Sequence, residues 1–359
     1  MRISLIIPSL RCGGAERVTS TMANYWAEQG KQIQVITFED VNIPQFFSLR
    51  PEITYTPLSL TKRSDSLIGL IVRSIRRILA IRHAIKSHHS ETVISFMTHT
   101  NILTIFSCLN IKAKLIISER CDPSSLRISK VFQFLRWGTY SYCDSLVVQT
   151  SEIYKFFSGN IQDIHVIPNP ISLPRTFKKP SDRPQKQKKI VAMGRLTYQK
   201  GFDLLIKAFA QIHCKYQDWE LIIWGEGEGR MGLEHLRNNL GLEGRVFICG
   251  QTSEPFDELS KADIFVLSSR FEGFPNVLCE AMACGIATIS FDCPTGPRDI
   301  IRNELDGILV PPEDIDSLSE AMERLVSNEF ERESIARRTP EILDRYGIEN
   351  IMGMWEKII

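Results

Sequence analysis

The sequence predicts an α/β protein of two doubly wound, Rossmann-like domains in tandem, facing a cleft. Three observations lead there. Short apolar runs alternate with amphipathic helical stretches along the whole chain, which is the pattern of βαβ units and a parallel sheet. The alternation breaks once, at residues 172–189, where three prolines and seven Lys/Arg stand among few apolar side chains. Finally, 359 residues with 43% apolar content supply two buried cores. The expected division is residues 1–172, a linker at 173–189, a second domain at 190–347 and a last helix at 348–359 crossing back to the first domain.

The elements follow in order. Residues 3–8 form an apolar run, too short for a secretory core with its cleavage site, and read as the first buried strand. A small-residue loop at 9–14 comes next, then helical spacing over 16–29 that ends at Gly30. Strands are expected at 33–38, 92–96, 115–118 and 145–149. After the linker they are expected at 190–193, 220–224, 246–249, 264–268, 287–291 and 308–310. Helices are expected at 202–216 and 255–261, with turns at 225–229 and 306–307. No stretch reaches the roughly 18 apolar residues of a membrane span. Nine cysteines without a CxxC pair favour reduced thiols in the cytoplasm over a disulfide frame or a zinc site.

Net charge is only +1, yet residues 1–189 hold 26 Lys/Arg and 13 Asp/Glu, and residues 190–359 hold 17 and 29. Such asymmetry suggests that the first domain meets something anionic. Residues 62–89 concentrate it, with seven Lys/Arg and three His against Asp65 alone. Ile68, Ile71, Ile75, Ile78, Leu79 and Ile85 fall near helical spacing. That stripe is either core or one face of a basic amphipathic helix lying on anionic lipid.

The residues from Glu272 to Glu280 carry the clearest chemistry. They follow an apolar strand and lead into a helix, where a strand's carboxyl end and a helix amino terminus meet. Unpaired N–H groups there suit phosphate, and the flanking carboxylates suit sugar hydroxyls. Asn276 is the expected N-cap, with Glu280 one turn into the helix. Upstream, Gly194-Arg195-Leu196 and Lys200-Gly201 place two cations between a strand end and a helix. Fixed cations stabilise a departing diphosphate more in the transition state than in the ground state. Gly13-Gly14 lets backbone approach a ligand. It is not the GxGxxG fingerprint.

Two glutamates separated by seven residues, together with Gly-Arg-Leu and Lys-Gly, resemble the retaining glycosyltransferases of family 4. The resemblance runs from Gly13-Gly14 to the last helix. It implies the GT-B architecture and a donor set of Gly13, Gly14, Arg195, Lys200, Gly250, Gln251, Glu272, Gly273, Phe274, Pro275, Asn276, Val277 and Glu280. Arg195 and Lys200 would hold the donor diphosphate, Glu280 the ribose, and Glu272 would lie near the sugar. Many relatives carry a histidine after the strand at 115–118. Here Ser118-Glu119-Arg120-Cys121-Asp122-Pro123 puts Arg120 in its place, as in a branch that builds bacterial surface polysaccharides. Arginine is a permanent cation and not a base near neutral pH. Arg120 joins Arg195, Lys200 and Glu272 as a catalytic candidate, and His99 is an alternative imidazole. Residues 292–299 face the same site, and Thr295 and Gly296 are candidate donor contacts. Asp314-Ile-Asp316 is read as helix capping, not a metal site.

The expectation is therefore a metal-independent transfer of a hexose or N-acetylhexosamine from a UDP-sugar, with no cofactor. The expected acceptor is a lipid-linked glycan, reached by a peripheral enzyme at the inner face of the membrane, with no nucleic-acid partner. Two rivals are a sugar-nucleotide epimerase of the same architecture and a non-catalytic membrane- or nucleic-acid-binding protein.

Overall fold

The computed structural model describes residues 1–11, 13–61, 67–124, 128–173 and 188–359. Most of the expected linker (174–187), Cys12 and residues 62–66 of the basic stretch lie outside them. The chain forms two compact units, Met1–Pro170 with Glu349–Ile359, and Ile171–Ile348.

The first unit holds a fully parallel seven-stranded sheet in the order β3-β2-β1-β4-β5-β6-β7. Its strands are β1 (Arg2–Ile6), β2 (Gln32–Thr37), β3 (Thr54–Pro57), β4 (Thr92–Phe96), β5 (Lys114–Ser118), β6 (Ser145–Val148) and β7 (Ile164–Val166). Its helices are α1 (Gly14–Glu28), α2 (Leu67–His88), α3 (Thr98–Cys108), α4 (Lys130–Thr139) and α5 (Ser151–Phe157). The central strands are buried on both faces, which is why they read as continuous apolar runs. The sequence reading lacked β3 and β7, the two edge strands. One is Thr-Tyr-Thr-Pro and the other only Ile-His-Val, and neither has the apolar density of a central strand. Pro57, with no N–H to donate, is tolerated at such an edge.

The second unit holds a six-stranded parallel sheet, ordered β10-β9-β8-β11-β12-β13. These are β8 (Lys188–Met193), β9 (Trp219–Trp224), β10 (Val246–Ile248), β11 (Ile264–Leu267), β12 (Ala287–Phe291) and β13 (Ile308–Val310), with helices α6 (Phe202–Ile212), α7 (Arg230–Asn239), α8 (Pro255–Ser260), α9 (Asn276–Ala283), α10 (Pro297–Ile300), α11 (Ile315–Ser327), α12 (Glu329–Arg338) and α13 (Ile342–Tyr346). Two helices, α6 (Phe202–Ile212) and α11 (Ile315–Ser327), share one core with Ile190, Trp219, Leu221 and Ile289. On the other side α9 (Asn276–Ala283) packs Leu278 and Met282 with Phe265 and Leu267. Strand β8 begins at Lys188, so the last two residues of the stretch read as linker pair with β9 instead. Asp314 caps α11 by accepting from the amides of Asp316 and Ser317 at 3.1 and 3.0 Å, as expected.

The last helix, α14 (Ile348–Glu356), docks on α1 within the first unit. Trp355 meets Trp26 edge-on at 6.4 Å, and Glu349 accepts from Tyr25 Oη at 2.7 Å. The charge contrast narrows once units are drawn from the fold. The first unit carries 20 Lys/Arg and 14 Asp/Glu, because seven of the cations in the first half sit in residues 172–189.

Helix α2 answers the question left by its sequence. Ile81, Ala84 and Ile85 are core, and Ile78 is half-buried. Ile68, Ile71, Ile75 and Leu79 are exposed by 51–76%. That part of the stripe is not core. No helix among the described residues is long and apolar enough to cross a membrane.

Candidate functional site

The strand order of the second sheet reverses between β8 and β11. On open parallel sheets ligands bind outside the carboxyl ends of strands at such a switch point. Gly194–Gly201 is the segment that leaves β8, and Ser268–Pro275 is the segment that leaves β11. The two sequence motifs therefore flank one point of the fold.

Backbone geometry locks the two loops together. Gly201 adopts φ +61°, and a Cβ there would overlap the Ser268 carbonyl oxygen. Only glycine fits without a shift. Ser268 Oγ donates to the Lys200 carbonyl at 2.9 Å, the Arg270 amide to that of Gln199 at 2.8 Å, and Gln199 Nε2 to that of Phe271 at 3.0 Å. Arg270 forks onto Asp203 at 2.9 and 2.8 Å, reaches Glu313 at 2.8 Å and lies 4.0 Å over the Tyr198 ring. Its hydrogen bonds to Asp203 hold the guanidinium above its ordinary range. The sequence reading missed Ser269, Arg270 and Asp203. The signal available was proximity, since Ser269 and Arg270 lie three and two residues before the first motif glutamate.

These contacts bring Lys200 Nζ to 2.6 Å from Glu272 Oε1 across 72 residues of sequence. Both side chains are largely buried, 15% and 7% exposed. Ser269 Oγ donates to the same oxygen at 2.6 Å. Thr295 fixes the glutamate's backbone, its hydroxyl donating to the carbonyls of Glu272 and Gly273 at 2.7 and 3.0 Å. The hydroxyl expected to touch a ligand thus has a supporting task. Gly296, at φ +95°, leaves room for Pro275, whose Cδ would lie 2.7 Å from an added Cβ.

Helix α9 starts one residue earlier than expected. Its N-cap is Pro275, whose carbonyl accepts from Leu278 N at 3.0 Å, and Asn276 is the first helical residue. Proline's fixed φ favours the entry to a helix, which displaces the asparagine from the cap. Glu280 sits in the second turn and is buried, with 7% exposed. Phe274 is a core side chain packed edge-on to Tyr346 at 5.6 Å, so it anchors the loop while Gly273 and Val277 remain partly exposed. Arg195 is exposed beside the switch point. Gly250 and Gln251 follow the edge strand β10, and the Gly250 carbonyl accepts from Gly225 N at 2.7 Å. Cys293 lies beside the pair, and burial pushes its thiol up to about 12, so it is protonated near neutral pH.

The remaining candidates lie in the first unit. Gly13 is the N-cap of α1 with an extended φ of −173°, which any residue adopts. The space a Cβ would need there is taken by the Glu16 carboxylate, which also accepts from Ser9 Oγ at 3.2 Å. Gly14 opens the helix. Arg120 follows β5 and is 8% exposed. Its Nη1 donates to Asn169 Oδ1, which also accepts from Gln149 Nε2 at 2.7 Å. The guanidinium lies 5.0 Å from the Phe96 ring and 5.8 Å from that of Trp355. Its Nε and Nη2 have no hydrogen-bond partner among the described residues, and burial brings its pKa down to about 9. The His99 ring packs 4.1 Å from that of Phe132, a packing contact.

Comparison with known proteins agrees with this architecture. Residues 175–341 match the family of glycosyl transferases group 1. A Campylobacter jejuni α-1,4-N-acetyl-D-galactosaminyltransferase, named for a GalNAc- and diNAcBac-bearing diphospho-undecaprenol substrate, is 29% identical over 100% of this chain and 98% of its own. A second Campylobacter jejuni N-acetylgalactosaminyltransferase, also named for a diphospho-undecaprenol substrate, is 26% identical over 91% of both chains. The solved sucrose-phosphate synthase of Thermosynechococcus elongatus superposes with a TM-score of 0.87 at 18% identity, over 99% of this chain and 98% of its own, a likeness of fold. With both motifs flanking the switch point of the second sheet, residues 175–341 carry the match to the glycosyl transferases group 1, and the chain is a family 4-like glycosyltransferase of the two-domain GT-B fold.

Proposed function

We propose that the protein moves a hexose or N-acetylhexosamine from a UDP-sugar to a lipid-linked glycan, with retention at the anomeric carbon, in bacterial surface polysaccharide or lipopolysaccharide assembly. The observation that carries this reading is the Lys200–Glu272 pair at the switch point, with Glu280 buried on the adjoining helix. The relatives' diphospho-undecaprenol substrates support a lipid-linked acceptor.

In this reading Arg195 and Lys200 receive the diphosphate as its charge grows, with no metal required because two fixed cations neutralise it. The α9 amino end and the Gly273–Asn276 amides add donors. Glu280 accepts from the ribose hydroxyls, and Gly250 and Gln251 border the nucleotide. The acceptor hydroxyl oxygen bonds the anomeric carbon as the bond to the diphosphate breaks. The electron pair leaves with the diphosphate, and the acceptor proton passes to a phosphate oxygen on the same face. Two observations favour same-face substitution over an enzyme nucleophile. Glu272 Oε1 already accepts from Lys200 and Ser269, and the Cys293 thiol is held protonated. The Gly13-Gly14 loop is assigned to the donor phosphate and the acceptor, and Arg120 to the acceptor side. The stretch at 62–89 is assigned to an anionic membrane surface, making the enzyme peripheral at the inner face.

A thermal-shift screen with UDP, GDP, ADP and UDP-sugars tests the donor assignment, because a ligand that binds only the folded state raises the melting temperature. UDP compounds should stabilise the wild type and not Glu280→Ala. Indifference of the folded wild type to every nucleotide would reject the proposal.

A further inference from the structure

Helices α2, α3 and α4 lie side by side in the first unit. Ser107 Oγ of α3 donates to the Ile78 carbonyl of α2 at 3.1 Å, and Arg82 donates to the carbonyls of Ser107 and Leu109 at 2.8 and 2.6 Å. The His99–Phe132 contact joins α3 to α4. Together these helices contain seven Lys/Arg and no Asp or Glu. Arg77, Arg82 and Arg136 turn inward to carbonyls or aromatic rings, while Arg76, Lys86 and Lys130 are exposed.

The same layer exposes large apolar side chains at helical spacing. Ile68, Ile71, Ile75 and Leu79 recur at three and four residues on α2. Val131, Phe134 and Trp137 do so on α4, where Phe134 is 78% and Val131 66% exposed. Trp137 is held by stacking on Phe156 at 5.4 Å, with 38% of it left open. Isolated exposed apolar residues need no explanation, but two rows on helices of one layer do.

We infer that the outer face of α2, α3 and α4 is a bilayer-docking surface, with Phe134 and Val131 inserted among anionic lipids beside the α2 row. This rests on the membrane assignment above and extends it to a second, aromatic anchor on α4. Charge selects the occupant. Two copies of this chain meeting through the face would oppose cation to cation, whereas an anionic bilayer neutralises them and takes up the apolar rows. A tryptophan half-stacked at the rim suits the headgroup level.

The test is flotation of the full chain with vesicles containing phosphatidylglycerol, against vesicles of phosphatidylcholine alone. The wild type should bind the anionic vesicles, less at high salt. Phe134→Asp and the double variant Ile71→Asp/Ile75→Asp should each lower the partition coefficient at least about tenfold, a change of about 1.4 kcal/mol. Stabilisation by UDP serves as the folding control for all variants and should be unchanged. Unaltered vesicle binding in both variants would overturn the inference. So would a wild-type dimer, by light scattering, that both variants dissociate. If UDP has no effect but anionic vesicles still capture the protein, the transferase proposal fails and the docking surface stands. The converse result separates them the other way.

Discussion

Replacing Arg120 by methionine should make the protein more stable and a worse enzyme. A buried cation without a counter-charge is costly, and no ion pair reaches Arg120 among the described residues. Burial lowers its pKa by several units, to about 9. At 1.36 kcal/mol per unit, holding it charged in the folded state costs about 5 kcal/mol near neutral pH. Against that stand the hydrogen bond to Asn169, ~1.5–3 kcal/mol, and stacking on two rings, ~1–2 kcal/mol. Methionine refills most of the volume, and Asn169 Oδ1 keeps its bond from Gln149. The net expectation is a gain of about 1–2 kcal/mol, or roughly 3–6 °C in Tm for a unit of this size. The sign has a pH signature. The cost is fully present below pH ~9, where folded and unfolded chains are both protonated. It shrinks by about 1.4 kcal/mol per unit as pH rises above 9, because the unfolded chain keeps its proton to higher pH. Paired melts of wild type and Arg120→Met at pH 7 and 10 read both quantities. Transfer to the acceptor should fall at least about 100-fold, as for loss of one preorganised charged contact. A variant that melts about 5 °C lower than wild type, or an advantage that grows with pH, would refute the account of Arg120 as an uncompensated buried cation.

Other outcomes follow from the second unit. Gly201→Ala puts a Cβ on the Ser268 carbonyl at a positive φ, and should cost about 1–3 kcal/mol by denaturant titration while weakening UDP stabilisation. Glu272→Gln leaves Lys200 buried without its counter-charge. It should lower stability by about 3–5 kcal/mol, read by urea unfolding, with UDP restoring more of the melting temperature than in wild type because the diphosphate replaces the lost charge. Arg195→Ala with Lys200→Ala should reduce kcat by at least about 100-fold in a UDP-release assay, and near-normal turnover would remove their assigned roles. Thiol titration at pH 8 should label Cys214 and Cys249 promptly. Buried Cys108, Cys279, Cys284 and Cys293 should react only after unfolding, because burial raises their thiols or closes access.

The sequence by itself determined the order of most strands and helices, because central parallel strands are buried on both faces and must read as apolar runs. It also located the two loops of the donor site, since their glycines and glutamates are local in the chain and their spacing needs no tertiary information. It did not reveal β3 or β7, whose edge positions relax the demand for apolar residues. Nor did it place Asn276 correctly, because the neighbouring proline takes the cap. Tertiary structure alone decided that Lys200 pairs with Glu272, since strand order sets β8 beside β11. It decided that Arg120 is buried against Phe96 and Trp355, which are far from it in sequence. It also decided that four of the six residues of the α2 stripe face outward. A helical period marks an apolar row, but only the packing of neighbouring elements determines whether that row is covered.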